Sequence, residues 1–440
     1  MKLFDQTTYF YMPVFFKIKL ATSLKFEEII GSKEEPLFFH EYLHFLQDVL
    51  TTYGLANMSK VFNCIKYLYH NVKAMQKEGD YVLTRPVDFS GATDINDDLF
   101  SFYLGYTDTE ILLENTEVCD ISISESVPYE GKQYSVKEYN VKLSNGRYYC
   151  LGAHAIMECL CHTLQKKIYK SKYQLQVPYD LPLLVWNYYF KDKFEIKSNI
   201  PMFLDLLEFS LQFYNPAEIF FSTIDILLGK SSVKFDQIDD CFYKQLLQTW
   251  HGSDNENAIE LYYTAYNAAI NDIKGTLVSD IYVPYKNWIL TVLSNSKNYK
   301  VGNNSIFSTV YSMSEDEVRS FLIEIINIIG LPPIYNNDGV LFIKGIIEEK
   351  RRVLSLFGYI SFFSSQALLS VYNYLRGYSA GCDEDLIKAC KYVNMVTKSN
   401  VWKVDENCEH SPYEKFNPQI MCPFTAVWNT FGLAPMQIFG

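Results

Sequence analysis

The chain has 440 residues, of which 48% are hydrophobic and 16% aromatic, enough to bury a large core and too apolar for a disordered chain. A formal net charge of −12 excludes a general nucleic-acid binder, because neutralising phosphates takes a basic face and the sequence shows none. Ten cysteines without a regular framework read as reduced, buried thiols rather than disulfides.

Taken from its start, Met1 to Leu20 has one early lysine and an apolar run broken by Pro13, Lys17 and Lys19, with no small-residue cleavage site. That pattern is not a signal peptide, and the expected location is cytoplasmic. Phe16, Ile18 and Leu20 alternate with Lys17 and Lys19, which predicts a half-buried edge strand able to border a cleft.

Next, Ser32 and Glu35 have capping-box spacing, Pro36 suits a first turn, and Leu37 to Thr52 holds no Gly or Pro, so a helix is expected. This helix carries His40-Glu41-Tyr42-Leu43-His44, an H-E-x-x-H. Positions i and i+4 share a helix face, so two imidazoles can meet one Zn²⁺ while the Glu between them stands beside the open coordination position as general base. Chance alone gives such a pattern in about one chain in a hundred of this composition, so the match carries information. Leu43, Leu46 and Leu50 make an apolar stripe, and His40, His44, Gln47 and Asp48 share the neighbouring one, which separates packing from metal chemistry.

A second helix is expected over Asn57 to Gln76, followed by a polar loop around Gly91, Asp94, Asn96, Asp97 and Asp98. Val118 to Ser124, Tyr134 to Leu143 and Arg147 to Leu151 read as short strands, the last two joined at the hairpin signal Asn145-Gly146. Ala153 to Tyr169 then returns to helix, apolar at Ile156, Leu160, Leu164 and Ile168, with His154, Glu158 and His162 at fourfold spacing.

From Pro178 onward helices are expected over Leu181 to Tyr189, Pro201 to Phe213, Pro216 to Leu228, Asp236 to Trp250, Glu256 to Ile273 and, between a Ser314/Glu317 capping box and a stop at Gly330, Ser314 to Gly330. Val353 to Leu375 contains Ser355, Ser361, Ser364, Ser365, Gln366, Ser370 and Asn373, too many polar side chains for lipid, and reads as a buried helix. The last forty residues read as ordered loop wrapping the body. Cys408, His410 and Cys422 match no common zinc spacing and read as plain thiols with an incidental histidine. No internal repeat is visible.

Catalytic zinc takes three protein ligands and leaves one position for water, so His40 and His44 need a partner. A metzincin would place Gly and His where Gln47 and Leu50 stand, and is excluded. Glu158, on a well-patterned helix after a hairpin, is the expected third ligand, with Asp108 of Gly105-Tyr106-Thr107-Asp108, other acids, or His154 and His162 as competing ones. His154 and His162, one turn on either side of Glu158, read first as structural histidines, either of which could also orient its carboxylate or donate to a developing oxyanion.

The layout of His40-Glu41-x-x-His44 with a later Ala155-Ile156-Met157-Glu158 helix resembles the gluzincin class of zinc metallopeptidases, in which a Glu on a second helix supplies the third ligand. The interval from His44 to Glu158 is longer than in thermolysin-like enzymes. Those also carry an Asp four residues after the second His, where Asp48 stands here, implying an acid behind a ligand or a helix-stabilising one.

The expected fold is α+β and predominantly α-helical. It has a zincin-like region over residues 1–175 with a small antiparallel β element, a helical region over 176–400, and a wrapping segment over 401–440. The expected function is zinc-dependent hydrolysis of a peptide or protein substrate with Glu41 as general base, without nucleic-acid or membrane partners. Two other readings fit the same residues: a helical interaction protein, and a zinc hydrolase of a non-peptide amide or ester.

Overall fold

The computed structural model describes the whole chain except residues 1–9, 14, 15, 21, 23, 25, 88–98, 106–115, 127–135, 171–176, 231–241, 250–256, 301–304, 337, 338, 343–355, 383, 397, 399–401, 418, 420, 435 and 440. It is an α+β fold in which helices predominate and the sheets are small. One hydrophobic cluster runs from Phe16 to Met436.

The first sheet has the order β1 (Phe10–Met12), β2 (Lys17–Lys19), β7 (Ile334–Asn336), β8 (Gly339–Phe342). β2 pairs antiparallel with β1 and parallel with β7, Ile18 lying opposite Ile334. The expected half-buried edge strand is therefore an interior one. Phe16, Ile18 and Leu20 are fully buried as the alternation predicts, but Lys17 is only 3% exposed, its ammonium 4.7 Å over the Tyr335 ring. A distant strand closes the edge and covers the lysine stem with an aromatic face, a cation–π arrangement that local periodicity cannot reveal.

The motif helix α2 (Glu35–Leu50) follows the short α1 (Phe26–Ile29), with Pro36 in its first turn as expected. The capping box does not form. Glu34 is the N-cap and makes no side-chain cap bond, while Ser32 Oγ accepts from the Glu34 N–H at 3.1 Å. Glu35 is drawn elsewhere. Its carboxylate accepts the Arg319 Nε–H at 3.0 Å, the Tyr169 hydroxyl at 3.0 Å and the Gly31 N–H, and a charge-assisted set of this kind outbids a single cap bond.

α2 ends at Thr51, whose extended backbone starts α3 (Thr52–Lys77) and whose hydroxyl accepts from the Gly54 N–H at 3.1 Å. The elbow is tight. A Cβ on Gly54 would lie 2.4 Å from the Cα of Asp48, so only glycine lets the two helices meet there.

After β3 (Val82–Thr84), the strands β4 (Val118–Ser126), β5 (Val136–Leu143) and β6 (Tyr148–Leu151) form the expected antiparallel meander. β6 runs through Gly152 into α4 (Ala153–Tyr169), whose bounds are those the apolar spacing predicts. Gly152 packs backbone to backbone against Gly105, and a Cβ on it would sit 2.4 Å from the Gly105 nitrogen. This contact fixes where α4 begins. α4 lies against α2, the packing that lets two helix faces share a site.

Further helices are α5 (Leu181–Tyr189), α6 (Phe194–Lys197), α7 (Ile200–Ser210), α8 (Pro216–Leu227), α9 (Phe242–Thr249), α10 (Ala258–Thr276), α11 (Val283–Lys300), α12 (Ile306–Ser312), α13 (Glu315–Ile328), α14 (Leu356–Leu375), α15 (Glu384–Val396), α16 (Asn407–His410) and α17 (Pro423–Thr430). The Ser314/Glu317 capping box is present at the start of α13. In α14, Phe363, Ser364, Ala367, Leu368, Ser370 and Val371 are buried, as expected of a core helix. Among the described residues, no helix is long and apolar enough to cross a membrane.

Candidate metal centre

Fourfold spacing on α2 brings the imidazoles of His40 and His44 side by side, their Nε2 atoms 3.2 Å apart. From α4, Glu158 Oε2 reaches both, at 3.2 Å from His40 Nε2 and 3.3 Å from His44 Nε2. Three lone-pair donors thus form a nearly equilateral triangle. Donors bound tetrahedrally at about 2.0–2.1 Å from a common zinc lie about 3.3–3.4 Å apart, so the triangle has the size of one face of a zinc tetrahedron. Among the described residues, it is the one group of three such donor atoms lying within 4.8 Å of one another.

The donors fit a cation chemically as well as by size. Three converging acceptors leave the site electron-rich unless a proton or a metal lies among them. Burial opposes charge on His44, but the Cys161 thiol and the Glu158 carboxylate outweigh it and hold His44 well above the usual histidine range. Burial likewise pushes Glu158 up, while His44 and the hydrogen bonds from His154, His40 and His44 hold it well below the usual carboxylate range. Without a metal, a proton shared in the triangle does the neutralising.

The back of the site fixes the ligands. His44 Nδ1 lies 2.8 Å from Gln47 Oε1, and Gln47 Nε2 donates to the Met157 carbonyl at 3.0 Å, which turns the amide oxygen toward the imidazole. His44 therefore carries its proton on Nδ1 and offers the Nε2 lone pair to the triangle. The same amide ties the motif helix to the turn of α4 that bears Glu158. Cys161 Sγ lies 3.6 Å from the same Nδ1, and burial pushes its thiol up. His40 differs: its Nδ1 is buried without a hydrogen-bond partner, and its ring meets Tyr179 edge-on, centroids 6.3 Å apart.

Glu41 lies between the two histidines in sequence, 8% exposed. Glu158 has 17% of its side chain exposed and His154 41%, so the centre opens to solvent on the α4 side. His154 Nε2 stands 3.6 Å from Glu158 Oε1, the oxygen that does not enter the triangle. His162 Nε2 lies 3.9 Å from an Asp180 carboxylate oxygen, and its ring stands against Tyr179, centroids 5.0 Å apart, in the wall beside His40. Asp48 is buried, 2% exposed, at the α2–α3 elbow, where its charge adds to burial in raising the Tyr53 phenol. Asp108 lies outside the described residues.

Cys161 and Tyr179 belong to the site and were not expected there, nor was the role of Gln47. Gln47 carried a signal, standing one turn after His44 on the ligand stripe; Cys161 stands three residues after Glu158. Tyr179 carried none. Comparison with known proteins finds no matching family, no matching curated protein and no matching solved structure.

Proposed function

We propose that this chain is a zinc-dependent metallopeptidase with the triangle of His40 Nε2, His44 Nε2 and Glu158 Oε2 as its metal-binding face. The observation that carries the reading is the match between the 3.2–3.3 Å edges of that triangle and the donor spacing of tetrahedral zinc, on the helix that also bears Glu41. Zinc bound there supplies Lewis acidity, lowering the pKa of water toward about 7 and polarising a carbonyl.

The chain's own residues do the rest. His40, His44 and Glu158 hold the cation on three sides, and Gln47 keeps His44 in the tautomer that can bind it. His154 engages Glu158 Oε1 and so leaves Oε2 directed at the cation. Glu41 takes the proton of the attacking water and returns it to the leaving amine, the general-base role that its place in the motif provides.

The test compares wild type with Glu41→Gln on a peptide library, with zinc measured in both. The expected outcome is equal zinc content and a loss of turnover of about 10²–10⁴-fold. Full hydrolysis by Glu41→Gln would remove the general base, and a wild type without zinc at this centre would remove the reading as a whole.

A further inference from the structure

Four of the described cysteines, Cys382, Cys390, Cys408 and Cys422, line a single recess between α15, the 402–415 segment and the start of α17. They come from separate stretches that the backbone already draws together, since the Cys382 N–H donates to the Cys408 carbonyl at 2.8 Å. Lys415 Nζ donates to Cys408 Sγ at 3.1 Å and is itself fixed by Asp405 Oδ1 at 2.9 Å. The Thr425 hydroxyl lies 3.4 Å from Cys422 Sγ.

A second observation points to a ligand. Trp402 lines the same recess at 2% exposure, and its indole Nε1–H is buried with no acceptor. Neutral thiols are weak acceptors and leave the Trp402 N–H unmatched. Four thiolates around one divalent cation carry a net double negative charge, and their sulfurs accept N–H bonds, which is the complement of this donor set.

We propose that Cys382, Cys390, Cys408 and Cys422 form a second, structural site for a soft divalent metal, zinc foremost, with Lys415 and Trp402 as donors to the bound sulfurs. No three of the four sulfurs lie within 4.8 Å of one another, so binding one ion requires the side chains to rotate toward a common point in the recess. As the four metal–sulfur bonds form, the four thiol protons pass to solvent. The site staples a segment that has little regular structure of its own, α16 being four residues long, onto α15 and α17. Cys408 and Cys422 thus become ligands rather than the plain thiols expected from spacing, while His410 is exposed and does not line the recess.

The test reads metal rather than activity, on the full chain. Wild type should hold two zinc ions, and titrating its thiols with an organomercurial should release one of them. His40→Ala/His44→Ala should retain one zinc and, loaded with Co²⁺, show thiolate-to-cobalt charge-transfer absorption. Adding Cys408→Ser and Cys422→Ser to that background should abolish both. Wild-type zinc that survives the mercurial, or a cobalt spectrum without sulfur ligation in the histidine variant, overturns the proposal. A wild type with one zinc that shows thiolate ligation keeps it and sinks the α2–α4 metal centre instead.

Discussion

On α2 and α4 three proton acceptors converge on one another, whereas on α7 the buried carboxylates of Asp205 and Glu208 are met by donors. Glu208 Oε2 accepts the Ser305 hydroxyl at 2.6 Å and the Ile306 N–H at 3.1 Å, closing the start of α12. Asp205 Oδ2 accepts the Tyr243 N–H at 3.2 Å, and Lys300 Nζ donates to the Tyr243 hydroxyl at 3.1 Å. Both clusters use helical spacing to bring charged groups to one face, and both are buried. The difference lies in what each lacks. Around Glu208 hydrogen-bond donors and a nearby ammonium meet the carboxylate, and the network joins α7, α11 and α12 with only Asp205 Oδ1 left without a hydrogen-bond partner. Around Glu158 the polar partners sit behind the histidines or on the other carboxylate oxygen, and the centre of the triangle calls for a cation. Burial and charge alone do not mark a functional site; convergence of acceptors does.

If that distinction is sound, substitutions in the two clusters should separate into effects on function and effects on stability. The largest effect belongs to His44→Ala, which should lose zinc from the α2–α4 centre and with it all metal-dependent hydrolysis, measured by elemental analysis and peptide cleavage. The chain should still fold, because metal-free wild type also spends binding energy on a crowded polar triangle. Unfolding of His44→Ala under conditions where metal-free wild type is folded would show the triangle to be structural, like the Glu208 network.

How much of this was legible in the sequence depended on the distance over which each feature acts. His40, Glu41 and His44 could be read because one helix fixes their spacing. Glu158 could be read because the apolar positions of α4 set its face and the hairpin before it limits where that helix starts. Gln47 was visible on the right stripe but its role was not, since the bond that orients it goes to a backbone carbonyl, at Met157, which no residue type encodes. The interior position of β2 was hidden because β7 arrives from the far end of the chain. The four-cysteine recess was hidden for the same reason: Cys408 and Cys422 have no meaningful spacing until Cys382 and Cys390 are folded against them.

The next effects are smaller and fall on opposite sides. Glu208→Ala leaves the Ser305 hydroxyl and the Ile306 and Phe307 N–H groups without their buried acceptor, and should cost about 1–3 kcal/mol in urea unfolding while zinc at the α2–α4 centre is unchanged. Gln47→Ala should do the reverse, leaving stability nearly intact and weakening zinc binding by about 10–100-fold in a competition titration, because His44 loses the acceptor that fixes its tautomer. Equal zinc affinity in Gln47→Ala would mean that Cys161 alone can orient the imidazole.

The smallest effect is a slope with pH, and its sign follows from which form the fold prefers. Burial pushes Glu208 up to about 7, against the opposing pull of the Lys300 ammonium and the Ser305 hydroxyl. The folded chain therefore keeps a proton that the unfolded chain releases near the ordinary carboxylate value of about 4.3. The stability contributed by Glu208 is full below that value and is lost as pH rises through the folded one. Lys300 runs the other way, its ammonium lowered to about 8 by burial with Glu208 opposing, so its contribution is present at alkaline pH and is lost as pH falls through that value. Together they put a trough in stability near neutrality. On the His40→Ala/His44→Ala background, where the α2–α4 centre adds no metal linkage, urea unfolding should show stability falling from about pH 5 to about pH 7 with Glu208 present and a flatter profile with Glu208→Gln, whose amide does not titrate. Parallel profiles would mean that Glu208 is ionised throughout, and that donors alone suffice to hold a buried carboxylate charged in this fold.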